Sequence, residues 1–261
     1  MTEITAIDAA HAAMEAAPDN DAARLKFYER VADSELVLAL ASEVDGGELY
    51  PLVFPVDDGK MVLAFDREDR LTEFLGGAAP YAAMPGRRLV QMIADQGASL
   101  GLNLEVAPSS IVLPHDALVW LSETLAARPA EMEAQPTEIH PPMTLPEAVL
   151  TALDAKLARA GGLASSAYMV QATYEGGSKA PLLAFIDAIP DAQTTLAEAA
   201  QEALTFAGIE AGMIDVAFFA ASNPLAAALA RHGLRFDLPE PKRPQTPGAP
   251  GMNPDVPPKL R

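Results

Sequence analysis

The chain contains no cysteine. That absence excludes disulfides, thiolate nucleophiles, Cys-ligated zinc and iron–sulfur clusters together. Aromatic residues are scarce at 6%, and Trp120 is the only tryptophan. Basic residues are outnumbered two to one, 18 Lys and Arg against 36 Asp and Glu, for a net charge of −18 over 261 residues. So acidic a body repels phosphate backbones and anionic lipid, so neither nucleic acid nor membrane is an expected partner. No apolar run approaches the length of about 18 residues that reads as a transmembrane helix. The opening MTEITAIDAAHAAMEAA has no basic segment leading into an apolar one, so it does not read as a signal peptide, and a cytoplasmic location is the simplest expectation.

What is present is enough apolar residue, 50% of the chain, to fill one large core or two smaller ones. Two amphipathic helices are expected first, over roughly residues 3–16 and after Pro18-Asp19-Asn20, where Leu25, Tyr28 and Val31 form a stripe. Asp19 or Asn20 suits the N-cap of the second, because its side-chain oxygen can accept from first-turn amides. Three strands then follow in series, from Glu35, over 49–56 and over 61–65, with turns at Gly46-Gly47 and Asp57-Asp58-Gly59, which predicts an antiparallel meander. The next stretch reads as helix, a tight corner PYAAMPGRRL, helix, strand, and a helix beginning at LPHDALVWL.

From Arg128 to Pro146 the composition changes to five prolines, three glutamates and no apolar period, which reads as a linker centred on 128–143. A second domain is expected over 144–237, after a first over 1–127. It would open on a helix capped by Thr144 with Glu147 three residues on, and Leu145, Val149, Leu153 and Leu157 would mark its core face. Strand, strand, helix, strand, helix and short strand then follow, predicting a mixed sheet with helices on one face. The last 24 residues, 238–261, hold eight prolines and carry +2, and read as a disordered or polyproline-like tail. The expected fold class is therefore α+β, two α/β-type domains each built as a mixed sheet packed with helices.

The residues that could do chemistry are sparse. His11 falls on an expected surface helix, His140 in the linker and His232 at a helix end. His115 has an acidic neighbour, Asp116, but the pair reads as the start of a helix. No Gly-x-Ser-x-Gly elbow, Gly-x-Gly-x-x-Gly turn or Walker-type loop occurs. His115-Asp116 and Glu138-Ile-His140 supply two ligands each without a third, so no metal and no other cofactor is expected, and no catalytic residue is assigned. Asp66-Arg-Glu-Asp-Arg70 reads as the acidic first turn of a helix with internal charge pairs. One spot qualifies as a contact site. In PYAAMPGRRL, Pro85 would begin a helix, and Arg87 and Arg88 add positive charge to its positive end, making an anion- or partner-attracting point. The plainer alternative is that both arginines pair with neighbouring acids such as Asp95 or Glu73.

The runs VLAFDREDRLTEFLG, PYAAMPGRRLVQMI and LGLNLEVAPSSIVLPHDALVWL, with FYERVADSELVLAL upstream, resemble the N-terminal domain of the SseB-like family, the bacterial "enhanced serine sensitivity" proteins. LPEAVLTALDAKLARAGGLASSAYMV, APLLAFIDA and DVAFFAASNPLAAALARHGLRF resemble that family's C-terminal domain, mostly in apolar pattern. The resemblance implies a soluble bacterial protein of two α/β domains; it implies no activity and no catalytic or binding residues. The leading expectation is a non-enzymatic adaptor whose partner is another protein. The alternatives are an amino-acid (serine)-related sensor or enzyme with a site between the domains, for which a small-molecule ligand stays open, and a secretion-associated chaperone.

Overall fold

The computed structural model describes residues 3–43, 49–56, 59–127, 136–209 and 214–239. The expected turns at Gly46-Gly47 and Asp57-Asp58, most of the linker (128–135) and the tail from 240 lie outside these residues. The described chain folds as α+β, around two mixed sheets.

The first lobe opens with α1 (Ala6–Ala16), started by a capping box in which Thr5 and Asp8 satisfy each other's backbone amides. Helix α2 (Asp21–Asp33) is capped by Asn20, whose side chain accepts from the amides of Ala22 and Ala23. Strands β1 (Glu35–Ala39), β2 (Val53–Val56) and β3 (Gly59–Phe65) follow. They do not form a meander: β1 and β2 share one edge of β3, joined to each other only by a bridge between Leu40 and Pro51. Helix α3 (Glu68–Leu75) leads to β4 (Tyr81–Pro85), which pairs with β1 along its whole length. The expected tight corner is thus an edge strand; four small or irregularly patterned residues before a proline carry no readable period. Helix α4 (Gly86–Asp95), with Pro85 as its N-cap residue, crosses to β5 (Ala98–Leu102), parallel to β3, and β6 (Ile111–Leu113) closes the sheet before α5 (His115–Ala126). The sheet order is β4-β1-β3-β5-β6, with β2 beside β3.

The alternation of the strands sends Leu36, Leu38, Val62, Ala64, Leu100 and Leu102 to a face covered by α1, α2, α4 and α5, while Val37, Leu63 and Phe65 face α3. His11, expected at the surface, is buried edge-on against Phe27.

In the second lobe, residues 136–140 of the expected linker form β7 (Pro136–His140), paired with β8 (Ser166–Tyr174). Helix α6 (Glu147–Leu157) begins after Pro146 without a side-chain cap, so Thr144 does not cap it, whereas Val149, Leu153 and Leu157 form its buried face as expected. Strand β9 (Lys179–Ile186), helix α7 (Gln193–Phe206) and β10 (Asp215–Phe219) make a parallel crossover. Helix α8 (Ala226–His232) and β11 (Leu234–Phe236) complete the order β10-β9-β8-β11, with β7 beside β8. Helices cover both faces, not one: α6 and α7 pack on Met169, Leu183 and Phe185, while Leu229 of α8 packs on Val170, Leu182 and Ala184 behind them. Leu238 joins the α6–α7 side of this core.

The lobes meet through helices. Phe206, at the end of α7, is 2% exposed within the apolar core of the first lobe and stands edge-on to Trp120, which is itself edge-on to Tyr28.

Candidate functional site

The groups with the highest concentration of charge lie where α2 and α4 of the first lobe meet α6 and α7 of the second. Helical spacing puts Lys26, Glu29 and Asp33 on one stripe of α2, at steps of three and four. Asp33 ends that helix, and α4 must begin almost on top of it. Gly86 makes this approach: its amide donates to Ser34 O at 2.7 Å, and a Cβ there would lie 1.9 Å from Val31 O. No other residue fits. The next residue, Arg87, is thereby placed to reach Asp33.

Asp33 accepts from three cations. Lys156 Nζ donates to its two oxygens at 3.0 and 2.9 Å, Arg87 Nη2 at 2.9 Å and Arg159 Nη1 at 2.7 Å. Lys156 also donates to Glu202 Oε1 at 2.8 Å and lies 3.6 Å from Glu29 Oε1, while Arg87 reaches Glu202 at 3.3 Å. Glu29 accepts in addition from Lys26. Lys156 and Asp33 are nearly buried, with side chains 8% and 6% exposed, whereas Arg87 and Arg159 are half open to water at 46% and 54%. Burial works against the Asp33 charge, but the hydrogen bond and field of Lys156, helped by the two arginines, outweigh it and hold its carboxyl below the usual carboxylate range. Every carboxylate here has a cation and every cation a carboxylate. Such a cluster fixes two lobes against one another; it presents no free base, nucleophile or open cation.

A second cluster sits wholly within the first lobe, at the C-terminal ends of the parallel strands β3 and β5. Arg70, 1% exposed, donates from Nη1 to Asp66 at 2.8 Å and to Asp8 at 3.1 Å, and from Nη2 to Asp8 again. Ser109 donates to Asp8 at 2.6 Å, Asn103 to Ser109 at 2.8 Å, Thr5 to Asp66 at 2.6 Å, and the Asp66 amide to Asn103 Oδ1 at 3.0 Å. Asn103 holds this place at φ 51°, a left-handed conformation that asparagine tolerates better than most residues. Burial opposes the Asp8 charge, yet Arg70, Ser109 and the Thr5 amide hold its carboxyl far below the usual range. In open α/β sheets the C-terminal ends of parallel strands are the usual place for a ligand; in this lobe the chain's own side chains fill it.

The residues expected to form a contact site are separated in role. Arg87 is spent on Asp33 and Glu202, across the lobes, not on Asp95 or Glu73. Arg88 is exposed and makes no ion pair or hydrogen bond among the described residues. His115 has a buried Nδ1 without a partner and is not joined to Asp116. His140 lies 3.3 Å from Glu138 and 3.2 Å from Thr173, with no third metal ligand gathered among the described residues. Two depressions among the described residues are open to solvent: one along Arg67, Glu68, Asp69 and Thr72, another between the start of α2 and Gly208. Sequence reasoning missed Asp33, Lys156 and Glu202. The one available signal was Lys156, four residues after Ala152 on a helix stripe that is otherwise apolar.

Residues 8–120, which span α1 to the middle of α5, match the SseB protein N-terminal domain. The first lobe is an SseB domain. The match stops before the second lobe begins, so it covers the Asp8–Arg70 cluster apart from Thr5 and, in the other cluster, Lys26, Glu29, Asp33 and Arg87 but not Lys156, Arg159 or Glu202. No curated protein and no solved structure matches the chain.

Proposed function

We propose that this SseB-domain protein is a non-catalytic adaptor that binds another protein through its outer surface. The observation that carries the reading is the state of the space between the lobes. Its charged groups neutralise one another and its apolar part is filled by Phe206, so the two lobes are set as one body. An amino-acid sensor would need a cation and a carboxylate held apart across an open cleft, ready to receive the ligand's opposite charges. The interlobe cations are all engaged with acids of this chain, and the depression beside Gly208 is lined by Asp19, Asn20 and Asp21 without a cation. Arg88 is one of the exposed, unpaired cations open to a partner on this strongly acidic body, with Lys60, Lys179 and Arg231 among the described residues. We further propose that the second lobe is the family's C-terminal domain.

Affinity capture from native lysate, followed by reconstitution with the purified partner, tests the reading. A stoichiometric complex weakened by Arg88→Glu and by salt supports it. A thermal shift produced by serine or a related metabolite, with no protein recovered under several conditions, overturns it; a ligand present at a hundred times its Kd would raise stability by about 2.7 kcal/mol.

A further inference from the structure

Strand edges are hazardous because each exposes a row of unpaired N–H and C=O groups, and soluble proteins blunt them with proline, charge, irregular register or shortness. The outer edges of this chain follow that rule with one exception. Strand β2 contains Pro55 and β4 ends in Pro85; β6 and β11 are three residues long, and Arg235 stands exposed on β11. Strand β7 begins with Pro136 and its register shifts beside that residue. Strand β10, Asp-Val-Ala-Phe-Phe, has only the charge of its first residue: five residues in unbroken parallel register with β9, apolar after Asp215, and no strand on its outer side among the described residues.

Its chemistry is that of an interior strand left uncovered. Val216 and Phe218 reach over the α6–α7 face, with Phe218 stacked on Phe185 at 5.5 Å, and Ala217 and Phe219 lie on the opposite face. All five residues are partly exposed, although the facing stretch of β9 from Leu182 to Ile186 is buried. The Asp187 amide donates to Phe219 O at 2.9 Å, so Asp215, Ala217 and Phe219 turn their backbone groups toward β9. By alternation, Val216 and Phe218 turn theirs outward. The edge has an acid at each end, Asp215 at its start and the exposed Asp187 beside its finish; each accepts one hydrogen bond from a neutral donor, Asp215 from Tyr174 Oη at 2.7 Å and Asp187 from the Ala221 amide at 2.8 Å.

We infer that β10 is a docking edge that takes an extended segment of another protein as an added strand, apolar at its centre and carrying lysine or arginine at its ends. The inference rests on the adaptor reading and names the partner's chemistry. Main-chain pairing would supply the affinity, and the two apolar rows and the terminal acids the selection. A second copy of this chain fits less well, since it would bring another −18 of charge to the same edge. The C-terminal stretch is also unsuited, because between Pro239 and Arg261 no more than three successive residues carry an N–H.

The test uses the purified full chain and a synthetic probe peptide, Lys-Thr-Val-Thr-Val-Thr-Val-Thr-Lys, in a hydrogen-exchange and binding titration. The expected result is slower exchange at the Val216 and Phe218 amides, and affinity about tenfold weaker in Val216→Pro, which lacks an outward donor. Val112→Pro on β6 should bind as the parent does. If Val216→Pro does not fold, Val216→Lys sets a positive charge against the probe and should weaken it comparably. Unchanged exchange at Val216 and Phe218, or equal affinity in the β10 and β6 variants, overturns the inference. So does a self-associated species in sedimentation that Val216→Lys disperses, which would make the occupant a second copy. A partner captured from lysate that binds the Val216 variant normally would sink the edge and leave the adaptor reading standing.

Discussion

Arg70 and Lys156 are both long cations withdrawn from water and ringed by carboxylates, yet they are surrounded in different ways. Arg70 is enclosed by one lobe, and its acids Asp8 and Asp66 are completed by neutral donors, Ser109 and Thr5, while Asn103 donates to Ser109 and accepts from the Asp66 amide. Lys156 lies between lobes, and its acids are shared with Arg87 and Arg159, whose side chains are half in water. The first arrangement has one cation that nothing can replace. The second is redundant, because Asp33 keeps two partners when any one is removed. Buried ion pairs contribute little net stability over an apolar replacement of the whole set, but removing a single member is costly in proportion to what remains unpaired. The inner cluster should therefore behave as a keystone of the first lobe, and the outer one as a tolerant fastener.

The comparison breaks first at Arg70. Arg70→Met leaves Asp8 and Asp66 buried with no cation and should cost about 3–5 kcal/mol, read as a lowered urea midpoint. A loss no larger than that of the interlobe variants would erase the distinction. Lys156→Met should cost less, about 1–3 kcal/mol, because Arg87 and Arg159 still reach Asp33. Its mark would be a melting transition that splits in two as the lobes lose their coupling, whereas Arg70→Met, which leaves that coupling in place, should lower a single transition.

Acid sharpens the contrast further. Asp8 and Asp33 both have carboxyls held below the usual range. An acid whose folded pKa is depressed adds stability in full above its unfolded value, near 4. That contribution is lost as pH falls through the folded value, because the unfolded chain binds the proton first. Urea midpoints should be flat from pH 7 to about 5 and fall steadily below 4. Asp8→Asn should make that fall shallower, though it starts from a less stable protein; an unchanged slope would remove Asp8 from the account. The smallest effect belongs to Arg159→Ala, within about 1 kcal/mol, as befits a half-exposed partner. Raising salt from 0.05 to 0.5 M, about a threefold change in screening length, should mimic it while leaving the Arg70 cluster untouched.

Much of the frame was legible in the sequence and little of either cluster was. The face of α6 came directly from the spacing of Val149, Leu153 and Leu157, and Asn20 and the β9–α7–β10 crossover followed from caps and alternation. Strand β4 was hidden because Ala82 and Ala83 are too small to mark a face and Pro85 suggested only a helix start. The second face of the second sheet was missed for a related reason: α8 covers it mainly with one large residue, Leu229, amid alanines. The charge clusters were unreadable because their members stand far apart in the chain. Arg70 and Asp8 are 62 positions from each other, and Lys156 and Asp33 are 123. In a chain with 36 acids, no local pattern tells which carboxylate a buried cation will find. Arg87 shows the limit best. Its helix-terminal setting was expected to attract an anion or a partner, and the acids its guanidinium meets in the structure, Asp33 and Glu202, belong to the chain itself.

Phe206 has a practical corollary. Although it belongs to the last turn of α7, its ring completes the interior of the lobe that precedes it by some eighty residues. A fragment cut at the linker would therefore keep all its own strands and still open a vacant socket beside Trp120, with oily walls turned to water. Such a piece invites self-association in a test tube for reasons unrelated to biology, and aggregation of the isolated half would say more about where the scissors fell than about what the intact molecule holds.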